Sequence, residues 1–418
     1  MPNLKKALMG AAGAGGGIDY GNKKLFVWGA NTNGGLGLGN TTDLSSPVQL
    51  GATGDWQRAC VSGKGHSLFI KPNGTMWSCG DGIFGATGHN NQTDLSSPVQ
   101  IGSLNTWAWI NTTRQGDGGG VRPRSAAIKT DGTLWMWGNS TYGALAQGAS
   151  TGPFYSPVQV GTLTNWKKVS FGRDFCVALK TDGTIWSWGR NTAGQLGTGT
   201  APGVNASSPV QIGALTTWID IAAGGNAWAG IRSDGKTYCC GNNYYGNLGN
   251  NERGGSGGAP NQSSPVLVVG GQTFTSIASA YAVVIGVQAD GTMFSWGRNY
   301  RGGCGIGLGP GVGFSASVSS PVQIGSLTNW AGFGVKNADG DSILGFGGLG
   351  QTAVPANGTS FAKTKTDGTL WAWGNGGAGA IGVGNTTNYS SPVQVGSSTK
   401  WLSSYTGYAS AWAFEQAD

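Results

Sequence analysis

Short apolar strands that end in glycine recur along this chain. Leu25-Phe26-Val27-Trp28-Gly29 is followed by Trp77-Ser78-Cys79-Gly80, Trp135-Met136-Trp137-Gly138 and Trp186-Ser187-Trp188-Gly189. Tyr238-Cys239-Cys240-Gly241, Phe294-Ser295-Trp296-Gly297 and Trp371-Ala372-Trp373-Gly374 complete the set. Strand side chains alternate between faces, so the two rings of each unit share one face. The residues between them are often apolar too, which predicts strands buried on both sides, as in sheets stacked on neighbours. Asp-Gly-Thr precedes several of these strands, from Asp131, Asp182, Asp290 and Asp367. Its glycine supplies the positive φ that a tight hairpin requires. Pro-Val recurs from Pro47, Pro98, Pro157, Pro209, Pro265, Pro321 and Pro392. Proline cannot donate to a ladder, so these segments are expected to start strands or to form edge strands. A third marker, a lone aromatic, falls at Trp56, Trp107, Trp166, Trp218, Phe274, Trp330 and Trp401. Three independent markers thus agree on seven units.

Such a count predicts an all-β fold, a seven-bladed β-propeller over residues 21–418, preceded by a Gly/Ala-rich arm at residues 1–20. The last segment, Ala409 to Glu415, matches the strand before the Asp-Gly turn, as in Cys176 to Lys180. The first strand, Lys24 to Gly29, matches the strand after it. Pairing the two is expected to close the ring and remove its sheet edges.

The pattern resembles the regulator-of-chromosome-condensation repeat family. Gly63-Lys64-Gly65-His66-Ser67-Leu68 is similar to the start of that repeat, and Trp186-Ser187-Trp188-Gly189-Arg190-Asn191-Thr192-Ala193-Gly194-Gln195-Leu196-Gly197 to its remainder. The resemblance implies a binding propeller; the family's best-known member exchanges nucleotide on a small nuclear GTPase and touches chromatin. The family histidine appears only at His66, with Asp174 and Asn226 read into the matching slots. His66 is therefore expected to pack a loop.

Composition narrows the functional classes. Among 418 residues there are 80 Gly and 18 Trp, with 10% charged residues. Disordered Gly-rich chains are poor in aromatics, so the glycines belong to turns between apolar strands. The net charge of +7 is spread over isolated pairs, and nucleic acid is not an expected partner. Cys60, Cys79, Cys176, Cys239, Cys240 and Cys304 form no C-x-x-C pair, and several occupy apolar slots of the repeat. They are expected to act as small core residues in a chain folded in a reducing compartment. No apolar run is long enough to span a membrane. The Gly-broken N-terminus does not fit a secretion signal.

No constellation points to catalysis. Asp131, Asp182, Asp234, Asp290 and Asp367 read as turn residues, and Asp43 and Asp94 share a repeated loop. His66 and His89 are the only histidines. The Gly-rich runs lack the Lys-[Ser/Thr] of a phosphate loop. No catalytic site, cofactor or metal is expected. Five insertions interrupt the repeat. Asn111–Arg124 and Gly334–Ser360 share one phase, and Thr198–Ala206, Asn250–Gln262 and Gly305–Val318 share another. Loops on a rigid scaffold commonly carry binding, and Arg114, Arg122 and Arg124 are the expected contact patch. Low charge and abundant Gly, Asn, Ser and Thr suggest a structural or adhesive component of a virus (bacteriophage) particle. Its arm would dock to other subunits through Leu4, Lys5, Lys6, Leu8 and Met9, placing the protein in a virion or extracellular appendage. Its insertion loops would meet a cell-surface glycan or protein. The alternatives are a regulatory module engaging a GTPase or chromatin, and a glycan-binding or glycan-degrading protein.

Overall fold

A computed structural model describes residues 23–61, 65–113, 122–148, 152–254, 261–308, 317–333, 360–406 and 409–417. The arm, with Leu4, Lys5, Lys6, Leu8 and Met9, lies outside the described residues, as does Arg114.

The described strands form seven antiparallel sheets, the blades of a propeller. Blade 4 shows the plan. Trp166–Phe171 is the inner strand, followed outward by Phe175–Lys180, Ile185–Gly189 and Ala206–Gln211. Blade 3 runs from Trp107–Thr113 through Arg124–Lys129 and Leu134–Gly138 to Phe154–Gln159. The Pro-Val segments are the outermost strands throughout, where a missing N–H costs no ladder bond. In blade 7 three strands are described, and Trp330 bridges to Lys365 at the place of the inner one.

Closure is as expected. Lys23–Gly29 pairs with Ser410–Gln416 from Lys23↔Gln416 to Gly29↔Ser410, so blade 1 is built from both ends of the chain.

The repeat's chemistry explains the packing. The second ring of each unit is fully buried at Trp28, Trp137, Trp188, Trp296 and Trp373. Each donates its indole N–H to a carbonyl in the preceding blade, as Trp137 does to Ala86 (2.8 Å) and Trp188 to Ala144 (3.0 Å). A buried indole N–H gains from such a partner, and here the partner also fixes the stacking of blade on blade. The first ring stays partly exposed and meets the inner-strand aromatic edge-on, as in Trp107–Trp135 (6.0 Å). A lysine lies over that ring: Lys129 over Trp135 at 3.7 Å, Lys180 over Trp186 at 3.8 Å and Lys365 over Trp371 at 3.8 Å. The Asp-Gly-Thr turn is wired to the same ring. Thr133 donates through its backbone N–H (2.9 Å) and its hydroxyl (2.7 Å) to Asp131, while its hydroxyl accepts from Trp135 (3.0 Å). The turn aspartates are structural, as the sequence implied.

All six cysteines are buried free thiols. Burial pushes Cys176, Cys240 and Cys304 up to about 12. No helix among the described residues is long and apolar enough to cross a membrane.

Candidate functional site

Strand register decides which loops share a face. In blade 3, Thr113 pairs with Arg124, Arg124 with Gly138, and Gly138 with Phe154. In blade 6 the corresponding row is Ala280, Val283, Gly297 and Val318. One end of each blade therefore holds the first-to-second and the third-to-fourth connections together. The insertions of both repeat phases, all five, leave and return at this same end of the propeller. An antiparallel four-strand meander requires this, because its odd connections lie at one end and its even connection at the other. The opposite face carries the short Asp-Gly turns and the crossings between blades.

On the insertion face, two clusters pair arginine with tyrosine. The first spans blades 3 and 4 around Asp174. Arg122 Nη1 lies 2.9 Å from Asp174 Oδ2, Arg190 Nη1 3.6 Å from the same oxygen, and Arg124 Nη1 3.6 Å from Oδ1. Tyr142 stands between two guanidinium groups, 5.2 Å from Arg122 and 5.0 Å from Arg190. Burial pushes the Asp174 carboxyl up, against the opposing pull of Arg124 and Arg122.

The second cluster spans blades 5 and 6. Arg298 lies 4.7 Å from the Tyr245 ring, 4.7 Å from Tyr300 and 5.3 Å from Tyr281. Tyr244 packs edge-on against Tyr245 at 4.9 Å and is exposed. Burial, and then the neighbouring Tyr281, raise the Tyr245 hydroxyl pKa.

One rule generates both clusters. The residue four after the strand-ending glycine reaches the residue one after that glycine in the next blade. Tyr142 meets Arg190 this way, Tyr245 meets Arg298, and Arg301 donates to Asn375 at 3.0 Å. Charge follows the same half of the face. Among the described residues, blades 3 to 6 place Arg122, Arg124, Arg173, Arg190, Arg253, Arg298 and Arg301 here against Asp174 and Glu252. Blades 1 and 2 place Asp43, Asp81 and Asp94. Asp43 and Asp94 accept backbone N–H groups of Asn31 (2.7 Å) and Gly82 (2.8 Å), which pins their loops.

The expected contact patch divides. Arg122 is partly exposed, its side chain 20% accessible, and reaches in to Asp174. Arg124 is fully buried and donates to the carbonyls of Gly172 (3.2 Å) and Arg173 (3.1 Å), so it is an inter-blade tie rather than a contact residue. His66 is buried in the same way, its Nε2 2.6 Å from Ser125 Oγ in blade 3. The slot assigned to His66 in other repeats also needs correction. His66 pairs with Gly80 as Arg124 pairs with Gly138, Phe175 with Gly189 and Ala227 with Gly241. Asp174 and Asn226 each stand one residue earlier. The sequence reading passed over Arg190, Arg298, Tyr142, Tyr245 and Tyr281. Their signal was variation at fixed offsets from an invariant glycine, visible once the repeats are superposed. Among the described residues no three His, Cys, Asp or Glu side chains assemble as metal ligands.

A closed seven-bladed propeller with its insertions on one face defines the class: a rigid disc presenting loops. The chain carries regulator of chromosome condensation (RCC1) repeats, which that family's model matches at residues 23–70, 131–179, 182–229 and 367–409. It is 26% identical to the ultraviolet-B receptor UVR8 of Arabidopsis thaliana over 80% of this chain and 68% of that protein. It is 28% identical to the E3 ubiquitin-protein ligase HERC2 of Homo sapiens over 68% of this chain but 6% of that protein, so the resemblance covers a small part of the ligase. The fold is shared with Prp20p from Saccharomyces cerevisiae, a protein described with binding properties to Gsp1p and histones. The TM-score is 0.72 at 17% identity, over 96% of this chain and 93% of that one.

Proposed function

We propose that this chain is a binding module of the regulatory type, with no catalytic chemistry of its own, and that it engages a protein partner through the insertion face. One observation carries the reading: five insertions and two arginine–tyrosine clusters open on one end of a disc whose other end is short turns. Tyrosine and arginine are the residues that most often anchor protein interfaces, because they bury area and donate hydrogen bonds with little loss of side-chain freedom. The relatives favour this module over the virus-particle component that composition suggested. Prp20p, with its binding to Gsp1p and histones, is one precedent for the kind of partner. In this proposal residues 1–20 remain an arm beside the propeller of residues 21–418.

The test is affinity capture from source cells with three tagged chains: unaltered, Tyr142→Ala/Arg122→Ala on the insertion face, and Leu163→Ala/Leu215→Ala on the opposite face. A partner retained by the first and third but lost by the second supports the proposal. Loss only with the leucine variant would move the binding face to the other end.

A further inference from the structure

Blades 4 and 6 carry the same arginine in the same place, but only blade 4 supplies its carboxylate. Arg190 follows Gly189 and Arg298 follows Gly297, and both glycines hold a positive φ, +100° and +101°. Each arginine donates its backbone N–H at 2.8 Å to a carbonyl across the turn, Arg190 to Asp174 and Arg298 to Ala282. Asp174 and Ala282 are thus equivalent positions. In blade 4 the Asp174 carboxylate sits 3.6 Å from Arg190. In blade 6 that side chain is a methyl group. No carboxylate among the described residues pairs with Arg298, which is held instead by the rings of Tyr245, Tyr281 and Tyr300.

A guanidinium offers five N–H donors in a rigid fork that matches a carboxylate. Three rings fix this fork in advance, which lowers the cost of ordering it on binding. Tyr281 holds φ +52°, a conformation that a bulky residue adopts at a cost; the equivalent residue of blade 5 is Gly225, at +53°. The strained backbone is the one that brings the third ring to Arg298. Arg301 and Arg253 add positive charge to the same part of the face.

We propose that Arg298, within the Tyr245–Tyr281–Tyr300 cage, is the docking site for an aspartate or glutamate side chain of a partner protein. The partner then supplies to blade 6 the carboxylate that Asp174 supplies to blade 4. This deepens the proposed function and rests on the insertion face being the binding face.

The test uses a fluorescein-labelled hexaglutamate peptide, titrated into the full chain at low salt and followed by anisotropy. Arg298→Ala removes the fork. Ala282→Asp fills the site from within and leaves the rings in place, so it reports even if Arg298→Ala unfolds. Each is expected to weaken binding about tenfold, the loss of one charge-assisted contact. Leu163→Ala on the opposite face is expected to leave binding unchanged, and the melting temperature of Ala282→Asp to stay near that of the parent. Equal affinity in parent, Arg298→Ala and Ala282→Asp overturns the proposal. So does tighter binding of a labelled deoxythymidine hexamer that the same variants abolish, which assigns the site to phosphate. The titration needs no captured partner, so its outcome is separate from that of the capture experiment.

Discussion

Lys168 Nζ and Asp220 Oδ1 meet at 2.5 Å across the seam between blades 4 and 5. Both side chains are buried, and Asp220 also accepts the backbone N–H of Ile221 (2.9 Å) and of Ile277 in blade 6 (3.3 Å). A single carboxylate thereby ties three consecutive blades at their inner strands. Removing one partner strands the other's charge in the interior. Lys168→Met is expected to cost about 3–5 kcal/mol in a denaturant titration, and adding Asp220→Leu is expected to recover much of it.

Arg122 and Arg124 are two residues apart and differ in role. Arg124→Ala removes a buried guanidinium that holds two carbonyls of blade 4 and faces Asp174. It is expected to destabilise the propeller by about 3 kcal/mol. Arg122→Ala removes a partly exposed guanidinium and leaves Asp174 facing Arg124 and Arg190, so it is expected to cost less, about 1–2 kcal/mol for the lost charge-assisted hydrogen bond. Urea midpoints of the two variants separate these outcomes, and equal midpoints would contradict the assignment of Arg124 as an inter-blade tie.

Lys363 is buried, and its Nζ donates to the Gly332 carbonyl at 2.6 Å. Burial pushes its pKa from 10.5 down to about 7. Between those two values the unfolded chain holds a proton that the folded chain has released. This contribution therefore makes stability rise with pH across that window, and it is flat below about 7, where both states are protonated. Lys363→Met is expected to lack the rise. Unfolding titrations of parent and variant at pH values from about 6 to 9 check the sign.

The six thiols lie in the interior, and burial pushes the pKa values of Cys79, Cys176, Cys239, Cys240 and Cys304 up. Thiolate is the reactive form, so native protein is expected to resist a thiol-specific reagent at mildly alkaline pH. All six are expected to react once the chain is unfolded. Rapid labelling of Cys79 or Cys304 in the folded state would contradict the packing described here.

The blades were legible because each carries several punctuating residues whose physical roles agree: the Asp-Gly turn, the paired rings, the glycine after them and the edge proline. Closure could be read from the half-hairpins at Lys24 and Ala409. The shared face of the insertions follows from the alternation of strand direction: the first-to-second and third-to-fourth connections of a meander are two repeat phases at one end. Arg124 was misread because a charged residue beside a Gly-rich loop looks solvated. The register with Gly138 places it at the first residue of a buried strand instead. The Arg298 cage draws on loops of two blades, so only the superposition of one repeat on another exposes it.

Hydrogen exchange of the whole chain, alone and with a partner captured from source cells, tests the central claim most directly. Binding by the insertion face predicts protection in the connections between Gly241 and Gln262 and between Gly297 and Val318, with the turns at Asp131, Asp182 and Asp290 unchanged. Protection confined to those Asp-Gly turns and to the crossings that hold Leu163 and Leu215 would contradict it.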